Sequence, residues 1–320
     1  MPKNKKTKTN KYSVLSIGFK ILIISLFLFL VPVVFVYKKA EVPNIQEIPV
    51  VIPPPPAMLP INRNIEPIPQ ISAQGVYILD LDSNVTLFEK NQNTRFAPAS
   101  TTKIITVLVA LDKYRPEDVL TVNTVITEGR VMGLIKGEEI TVENLVYGAL
   151  VHSANDAAYT LAENYPGAVE TFVKAMNDKA LSLGLKDTHL TNPIGFEDEN
   201  HYTTAYDLAQ LSRLALKSDL IKKVIGTKSI TVSDSNYNLY HRLDNVNILL
   251  GKVPGVAGVK TGWTEQAKEV LATLVKRDKH EVLVVILKSD DRFGETERLI
   301  SWVFNSFEWQ DLSTHSASLR

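Results

Sequence analysis

The sequence of 320 residues predicts an α+β domain with an antiparallel sheet flanked by helices and with a helical subdomain. One transmembrane helix is predicted to precede this domain. Three observations predict this fold. Strand-like segments lie at both ends of the domain, amphipathic helical segments lie between them, and residues 21–37 form an uncharged run rich in Ile, Leu, Phe and Val. Strands at both ends with helices between them indicate one sheet built from both halves of the chain.

The composition excludes several classes of function. The 35 basic and 35 acidic residues cancel, so no overall field would attract nucleic acid, and we expect no nucleic-acid partner. The chain has no cysteine, which excludes disulfides, thiolate catalysis and cysteine-ligated metals. It also lacks the His-Glu-x-x-His pattern of zinc peptidases, and we expect neither a metal nor a cofactor.

The N-terminal region predicts a membrane anchor. Residues 1–13 carry five lysines and no acid, which indicates a basic cytoplasmic tail, and residues 14–37 are long enough to cross a bilayer. A cleaved signal peptide is the alternative, but the apolar run ends in Val-Tyr-Lys-Lys without an Ala-x-Ala site, which favours an uncleaved anchor. We therefore expect a single-pass protein of the bacterial cytoplasmic membrane, with the N-terminus inside and the domain outside.

The remaining boundaries follow from proline content and hydrophobic pattern. Residues 38–71 are rich in proline, which favours extended backbone and predicts a semi-rigid spacer. The folded domain is expected over residues 72–310, and residues 311–320 are expected to be a frayed tail.

Periodicity predicts the elements of the domain in order. Residues 75–81 and 85–89 flank an Asp-Ser-Asn turn and predict a hairpin. Helical spacing of apolar residues predicts helices, including one that Thr141 caps and one that Gly184 ends. The expected helices are 101–112, 141–151, 155–163, 168–183, 203–217 and 295–307, and the later strands are 229–232, 258–262, 269–274 and 281–287.

Ser100 and Lys103 form the first candidate motif, at the start of the first predicted helix. Residues three apart lie on one helical face, so the Lys103 amine can reach the Ser100 hydroxyl. A serine nucleophile needs such a base, and a lysine serves as one only when its pKa falls. Taken alone, the pair also fits a helix-capping serine followed by a solvated lysine.

Two further motifs follow along the chain. Ser153-Ala-Asn155 lies between two predicted helices and can bring a hydroxyl and an amide to one site, although it also fits a helix cap. Lys260-Thr261-Gly262 lies on an apolar strand, where a lysine is costly unless paired and Gly262 allows close approach of a substrate backbone. The alternative is an edge-strand lysine beside a bulge glycine.

The three motifs in this order resemble those of the penicillin-binding proteins and serine β-lactamases. The surrounding sequence is most similar to the D-alanyl-D-alanine carboxypeptidase family, the low-molecular-mass penicillin-binding proteins. This likeness covers roughly residues 72–308. It includes Phe-Ala-Pro-Ala-Ser-Thr-Thr-Lys at 96–103, Gly-Glu-Glu-Ile-Thr-Val-Glu-Asn-Leu at 137–145, Ser-Ala-Asn-Asp-Ala-Ala at 153–158 and His-Tyr-Thr-Thr-Ala at 201–205.

The resemblance implies a β-lactamase/transpeptidase-like fold and a serine D-alanyl-D-alanine carboxypeptidase. Its substrate would be a peptidoglycan stem pentapeptide ending in D-Ala-D-Ala, and β-lactam antibiotics would bind it covalently. In that case Ser100 attacks the penultimate D-Ala carbonyl, Lys103 accepts its proton, and Ser153 relays a proton to the leaving amine. Two lysines converging on one site would repel each other and lower the pKa of at least one of them.

The same resemblance implies a set of substrate-binding residues. Asn155 would hold a substrate amide, with Lys260 and Gly262 alongside, and Thr261 would contact the terminal carboxylate. The backbone N–H groups of Trp263 and Ser100 would form the oxyanion hole, and Arg292 would complete the carboxylate site. Val246 departs from the pattern, because some family members carry an arginine at that position.

Two other functions remain open. A serine β-lactamase would need a deacylating glutamate after the second motif, but no Glu-x-x-Leu-Asn occurs there, and Glu163 and Glu170 lie in predicted helices. A β-lactam or peptidoglycan sensor would bind without turnover, which the intact set of serines and lysines argues against. His152 lies beside the second motif without an assigned partner and is expected to be structural.

Overall fold

The computed structural model describes residues 58–311, which form eleven strands and seven helices. The strands are β1 (Met58–Asn62), β2 (Gly75–Asp80), β3 (Thr86–Lys90), β4 (Val119–Thr121), β5 (Glu139–Thr141), β6 (Ser229–Ser233), β7 (Tyr240–Asp244), β8 (Val256–Thr264), β9 (Lys268–Arg277), β10 (His280–Ser289) and β11 (Phe307–Asp311). The helices are α1 (Lys103–Lys113), α2 (Val142–Leu150), α3 (Asn155–Glu163), α4 (Ala168–Ser182), α5 (Ala205–Ala215), α6 (Asp219–Ile225) and α7 (Arg292–Ser306). A 3₁₀ turn (Ala99–Thr102) leads directly into α1.

Strands from the two ends of the domain pair in one antiparallel sheet of five strands, in the order β3-β2-β10-β9-β8. The hairpin β2-β3 comes from the N-terminal part, and β8, β9 and β10 come from the C-terminal part. The junction is the pairing of β10 with β2, from Val282 opposite Asp80 to Leu287 opposite Gly75. The prediction of one antiparallel sheet built from both halves of the chain, with helices inserted between them, is therefore confirmed for these five strands. The other strands form two-stranded sheets, β1-β11, β4-β5 and β6-β7, so the predicted strand at 229–232 lies outside the main sheet.

The sheet has an apolar layer on each face. Side chains alternate between the faces of a strand, and residues 282–287 of β10 are all 0% exposed, so both faces at the centre are covered. Leu283, Val285 and Leu287 belong to the core that contains the inserted helices, whereas Val284 and Ile286 pack in the core that contains α7. Each core therefore covers one face of β10, and the strand is fully buried only when both are formed.

Two of the inserted helices begin at threonine caps. Thr141 caps α2, since its Oγ1 accepts a hydrogen bond of 3.3 Å from Asn144 N, and Thr204 caps α5 in the same way through Asp207 N. Helix α1 lies in the centre of the helical part: its first eight residues, 103–110, are all buried. A helix that is apolar on every side fits only an interior position, and Lys103 is therefore carried into the interior.

Two segments depart from the predictions. Residues 58–62, assigned above to the proline-rich spacer, form β1, which pairs with β11, so the spacer boundary at residue 71 is corrected. Pro60 is tolerated because β1 pairs on one side only. The last helix ends at Ser306 rather than Phe307, and residue 311 belongs to β11 rather than to a frayed tail. The short elements α6, β4, β5 and β7 are also additions to the predicted set.

The predicted cytoplasmic tail (1–13), the predicted transmembrane helix (14–37), residues 38–57 of the spacer and residues 312–320 lie outside the described residues. Within residues 58–311, no helix combines the length and the apolar character needed to cross a bilayer.

Candidate active site

The 3₁₀ turn presents Ser100 at the entrance of α1. Ala99 adopts a left-handed backbone with φ of +48°, which costs about 1–2 kcal/mol for a residue with a Cβ. Ser100 does not cap the helix, because neither the turn nor α1 has a capping hydrogen bond from a side chain. Instead its Oγ accepts a hydrogen bond of 3.0 Å from Lys103 Nζ. The alternative of a capping serine with a solvated lysine is therefore wrong.

Two glycines allow neighbouring segments to approach this turn closely. Gly195 has φ of +88°, and a Cβ there would lie 2.0 Å from Ala99 O. Gly262 on β8 has so little room that a Cβ would lie 3.1 Å from Ser100 N. The loop after α4 and the edge strand β8 thus clamp the Ser100 backbone from two sides.

Lys103 is fully buried and donates three hydrogen bonds. Besides Ser100 Oγ, its Nζ donates to Asn155 Oδ1 and to Ile194 O, both at 2.7 Å. Burial lowers the pKa of Lys103 to about 7, against the opposing effect of the Asp156 carboxylate. Near neutral pH a large share of Lys103 is consequently unprotonated, as a general base has to be.

Lys260 is the second buried ammonium group. It is 2% exposed, and its Nζ donates to Ser153 Oγ at 2.8 Å and to Thr261 O at 2.9 Å. Its pKa lies well below the usual value, mainly because of burial and then because of the positive charges of Lys103, Arg292 and Arg130. Strand β8 is an edge strand, yet Lys260 is buried and paired, as a lysine on an apolar strand has to be. The irregular register of β8 lies between Val256 and Gly258, so Gly262 is not a bulge glycine.

Ser153 and Asn155 lie at the junction of α2 and α3. Ser153 has φ of +61°, a strained backbone that aims its hydroxyl at Lys260. The N-cap of α3 is Ala154, without a side-chain hydrogen bond, so neither polar residue is a helix cap. The Asn155 side chain was expected to hold a substrate amide, but its Oδ1 accepts from Lys103 and its Nδ2 donates to Glu128 O at 2.9 Å.

Asp156 is a positioning residue that the motif reading passed over. It is 1% exposed, and its carboxylate accepts hydrogen bonds from the backbone N–H groups of Met132, Gly133 and Leu134, at 2.9–3.1 Å. The loop between β4 and β5 is therefore held against the first turn of α3. The sequence signal was its place directly after Asn155, inside the Ser-Ala-Asn-Asp-Ala-Ala stretch at 153–158.

These residues surround a cleft of about 590 Å³. Seven of the nine predicted site residues line it, and the other two, Lys103 and Lys260, are buried and bonded to lining residues. Thr261 is 4% exposed, whereas Trp263 is 61% exposed. The lining comprises Ser100, Gly129, Arg130, Ser153, Asn155, Ile194, Gly195, Phe196, Glu197, Val246, Thr261, Gly262, Trp263, Thr264, Glu265 and Arg292.

Arg292 lies at the start of α7 and braces β8. Its Nη1 donates to Gly262 O at 2.9 Å and lies 3.8 Å from Glu269 Oε1, and its backbone N donates to Glu269 Oε2 at 2.7 Å. Burial and the charge of Arg130 lower its pKa, although the guanidinium remains charged. Arg292 thus contributes positive charge to the cleft while part of its hydrogen-bonding capacity is already used.

The cleft also contains charged residues that sequence reasoning missed. Arg130 lines it from the β4-β5 loop, and Glu197 and Glu265 line it from two other loops. Glu197 lies after the second motif, where only Glu163 and Glu170 had been considered. Its Oε1 accepts from Gln266 N at 2.6 Å, and its pKa is lowered by bonds to the Thr264 hydroxyl and that N–H. A carboxylate held this way is a weak base.

His152 does not line the cleft and bonds to the backbone of Asp244, through Nδ1 at 3.3 Å from the carbonyl oxygen. Within residues 58–311, no three His, Cys, Asp or Glu side chains are grouped closely enough to hold a metal ion.

Comparison with known proteins adds to this geometry. Residues 62–291 match the D-alanyl-D-alanine carboxypeptidase family, which is most of the described chain. The chain is 34% identical over 250 residues to D-alanyl-D-alanine carboxypeptidase DacF of Bacillus subtilis, covering 75% of this chain and 64% of that protein. It is 29% identical over 260 residues to a D-alanyl-D-alanine endopeptidase of Pseudomonas aeruginosa, covering 78% and 81%.

Among solved structures, the crystal structure of a Streptomyces DD-transpeptidase superposes with a TM-score of 0.71 at 29% identity, over 75% of this chain and all of that one. The α+β transpeptidase-like fold expected from the sequence is therefore confirmed.

Proposed function

This chain belongs to the D-alanyl-D-alanine carboxypeptidase family, and we propose that it is a serine-type D-alanyl-D-alanine carboxypeptidase acting on peptidoglycan stem pentapeptides. The observation that carries the proposal is the hydrogen bond of 3.0 Å between Lys103 Nζ and Ser100 Oγ, with the lysine buried and its pKa near 7. A serine beside an unprotonated amine is an activated nucleophile.

Acylation begins when Ser100 Oγ attacks the carbonyl carbon of the penultimate D-Ala and its proton passes to Lys103 Nζ. The tetrahedral intermediate collapses with cleavage of the C–N bond to the terminal D-Ala. The leaving amine takes a proton from the Ser153 hydroxyl, which Lys260 resupplies through the 2.8 Å hydrogen bond. Water then adds to the acyl carbon, the bond from that carbon to Ser100 Oγ breaks, and Ser100 Oγ takes a proton from the water as the shortened peptide leaves. The proton that Lys103 gained during acylation passes back to Lys260, so both lysines regain their starting states.

Substrate binding uses the walls of the same cleft. The backbone N–H groups of Ser100 and Trp263 form the oxyanion hole, which the close packing of Gly262 on the turn supports. Thr261 and Arg292 lie on the β8 side and receive the terminal carboxylate. Asn155 binds Lys103 through Oδ1, and its remaining amide hydrogen is available to the substrate.

The predicted membrane anchor belongs to the same proposal. Residues 14–37 hold the chain in the bacterial cytoplasmic membrane with the N-terminus inside, and the domain faces the cell wall. The support is the sequence alone, namely the lysine-rich tail followed by the long apolar run. The spacer then ends before Met58, where β1 begins.

Turnover of two substrates by the full chain tests the proposal against its alternatives. A fluorescent penicillin and a peptide ending in D-Ala-D-Ala are incubated with the wild type, with Ser100→Ala, and with Ser301→Ala, which changes an exposed serine of α7. We expect lasting penicillin label and D-Ala release that depend on Ser100 and are unchanged in Ser301→Ala. Rapid loss of label with penicillin turnover would instead indicate a β-lactamase, and label without peptide turnover would indicate a sensor.

A further inference from the structure

Arg130 is the exposed cation of the active-site cleft. It lines the cleft together with Ser100, Thr261 and Arg292. Its positive charge lowers the pKa values of both Lys260 and Arg292. Among the described residues no carboxylate lies within ion-pair distance of its guanidinium, and no hydrogen bond of that group is formed within residues 58–311. A guanidinium left in this state presents a fork of donors to whatever enters the cleft.

The backbone that carries Arg130 is fixed to the second motif. Arg130 O accepts a hydrogen bond of 2.7 Å from Asn155 N, and the preceding Glu128 O accepts from Asn155 Nδ2. On its other side, the loop is held by the buried Asp156 carboxylate. The guanidinium therefore projects from a base that is rigidly tied to the residue that also binds Lys103.

The other cations of the site are committed elsewhere. Lys103 and Lys260 are buried and use their Nζ hydrogens on neighbouring protein oxygens. Arg292 donates to Gly262 O, and its charge is partly offset by Glu269 at 3.8 Å. Val246, which stands where related sequences can have an arginine, lines the same cleft and brings no charge. Arg130 therefore supplies a positive charge to this cleft from the loop between β4 and β5, whereas Val246 follows β7.

We propose that Arg130 is a specificity-determining residue that binds the terminal carboxylate of the substrate, together with Arg292 and Thr261. The inference rests on the proposed function and extends it, because it names the group that selects a free C-terminal carboxylate. A charge-assisted hydrogen bond of this kind is worth about 10- to 100-fold in the rate at limiting substrate.

Two thioesters of one N-acyl-D-alanine isolate this contact, because they differ only in the thiol that leaves. The leaving group of the first is mercaptoacetate, which carries a carboxylate in place of the one on the terminal D-Ala. The leaving group of the second is ethanethiol, which has no carboxylate. Thiol release by the full chain gives kcat/KM for each. In Arg130→Gln we expect a fall of about 10- to 100-fold for the carboxylate thioester and a change below about twofold for the ethyl thioester. Arg130→Lys should retain part of the preference.

Lys136→Gln is the matched control, because it removes one positive charge from an exposed position of the same loop that does not line the cleft. It should leave both rates unchanged. Turnover of the ethyl thioester also reports that each variant is folded. An equal loss on both thioesters, or no loss on either, would overturn the role of Arg130. Absence of Ser100-dependent release of either thiol by the wild type would instead refute the proposed function.

Discussion

Asn155 Oδ1 accepts a hydrogen bond of 2.7 Å from Lys103 Nζ, so the second motif holds the ammonium group of the first. This contact, together with that to Ile194 O, leaves Lys103 one direction in which to meet Ser100. Because the acceptor is a neutral amide oxygen, it orients the lysine without stabilising its charged form as strongly as a carboxylate would.

Replacing Asn155 with aspartate tests that distinction. A carboxylate at the same place should raise the pKa of Lys103 by about 1–3 units. Lys103 acts unprotonated, so kcat/KM rises as pH increases through its pKa, and the acid limb should move from near pH 7 to more alkaline pH. At pH 7 we expect a fall of about 5- to 500-fold that is partly recovered near pH 10. A pH profile of D-Ala release measures it. Asn236→Asp, at an exposed site, should leave the profile unmoved.

Gly195 and Gly133 have the same φ of +88° but different surroundings. A Cβ on Gly195 would meet Ala99 O at 2.0 Å, whereas nothing lies within 4 Å of one on Gly133. Gly195→Ala should displace the Ser100 turn and slow penicillin acylation by about 100-fold. Gly133→Ala should cost only the backbone strain, about 1–2 kcal/mol in the free energy of unfolding, with acylation near the wild-type rate. Equal acylation by the two variants would show that the clamp on the turn is unimportant.

Asp156→Asn should separate loop anchoring from electrostatics. The amide has one acceptor oxygen and turns an NH₂ group toward backbone N–H donors, so the free energy of unfolding should fall by about 2–3 kcal/mol. The Asp156 charge raises the pKa of Lys103, and its removal should therefore shift the acid limb of kcat/KM to lower pH. Urea unfolding and the pH profile measure the two effects. Asp178→Asn, which breaks an exposed pair with Lys174, should change stability by less than about 0.5 kcal/mol.

His201 should make stability depend on pH. Burial lowers its pKa from 6.5 to about 4, and both ring nitrogens are used in the neutral form, Nδ1 accepting from Thr191 N and Nε2 bonding Thr102 Oγ1. As pH falls below 6.5 the unfolded chain binds the proton first, so folding stability is lost between about pH 6.5 and 4. The loss at pH 4.5 relative to pH 7 is about 2 kcal/mol. Urea unfolding of His201→Gln at both pH values should lack this part of the pH dependence. The exposed His189→Gln should keep most of it, because burial, and only to a smaller extent the charge of His189, lowers the pKa of His201.

The central elements could be predicted because their signals are local. Strand β10 is buried on both faces and reads as a continuous apolar run, and Thr141 caps α2 three residues before its partner N–H. The pairing of β1 with β11 could not be predicted in this way. The two strands are almost 250 residues apart, and Pro60 argues against a strand at all.

The site residues also divide into those with a local sequence signal and those that only the fold brings together. The order of three short motifs identified Ser100, Lys103, Ser153 and Lys260, and the fold brings all four together around the cleft. The residues that contact these four could not be predicted from the sequence, because they lie in loops that only the fold brings close to the site. Arg130 and Glu197 lie in such loops and have no motif of their own. Mutual repulsion was predicted to lower the pKa of at least one lysine, and this is confirmed for Lys260, whereas the pKa of Lys103 falls through burial.

The pairing of β1 with β11 has a practical consequence for recombinant fragments. A fragment begun at residue 72 would strip β11 of its hydrogen-bonding neighbour, although Trp309 would still tie that strand to Asp80 and His280. It would also remove the Glu66 carbonyl that accepts from Trp302 Nε1. The bared strand edge would be open to pairing with a second molecule, so such a fragment should aggregate, and a well-behaved truncation has to start upstream of Met58.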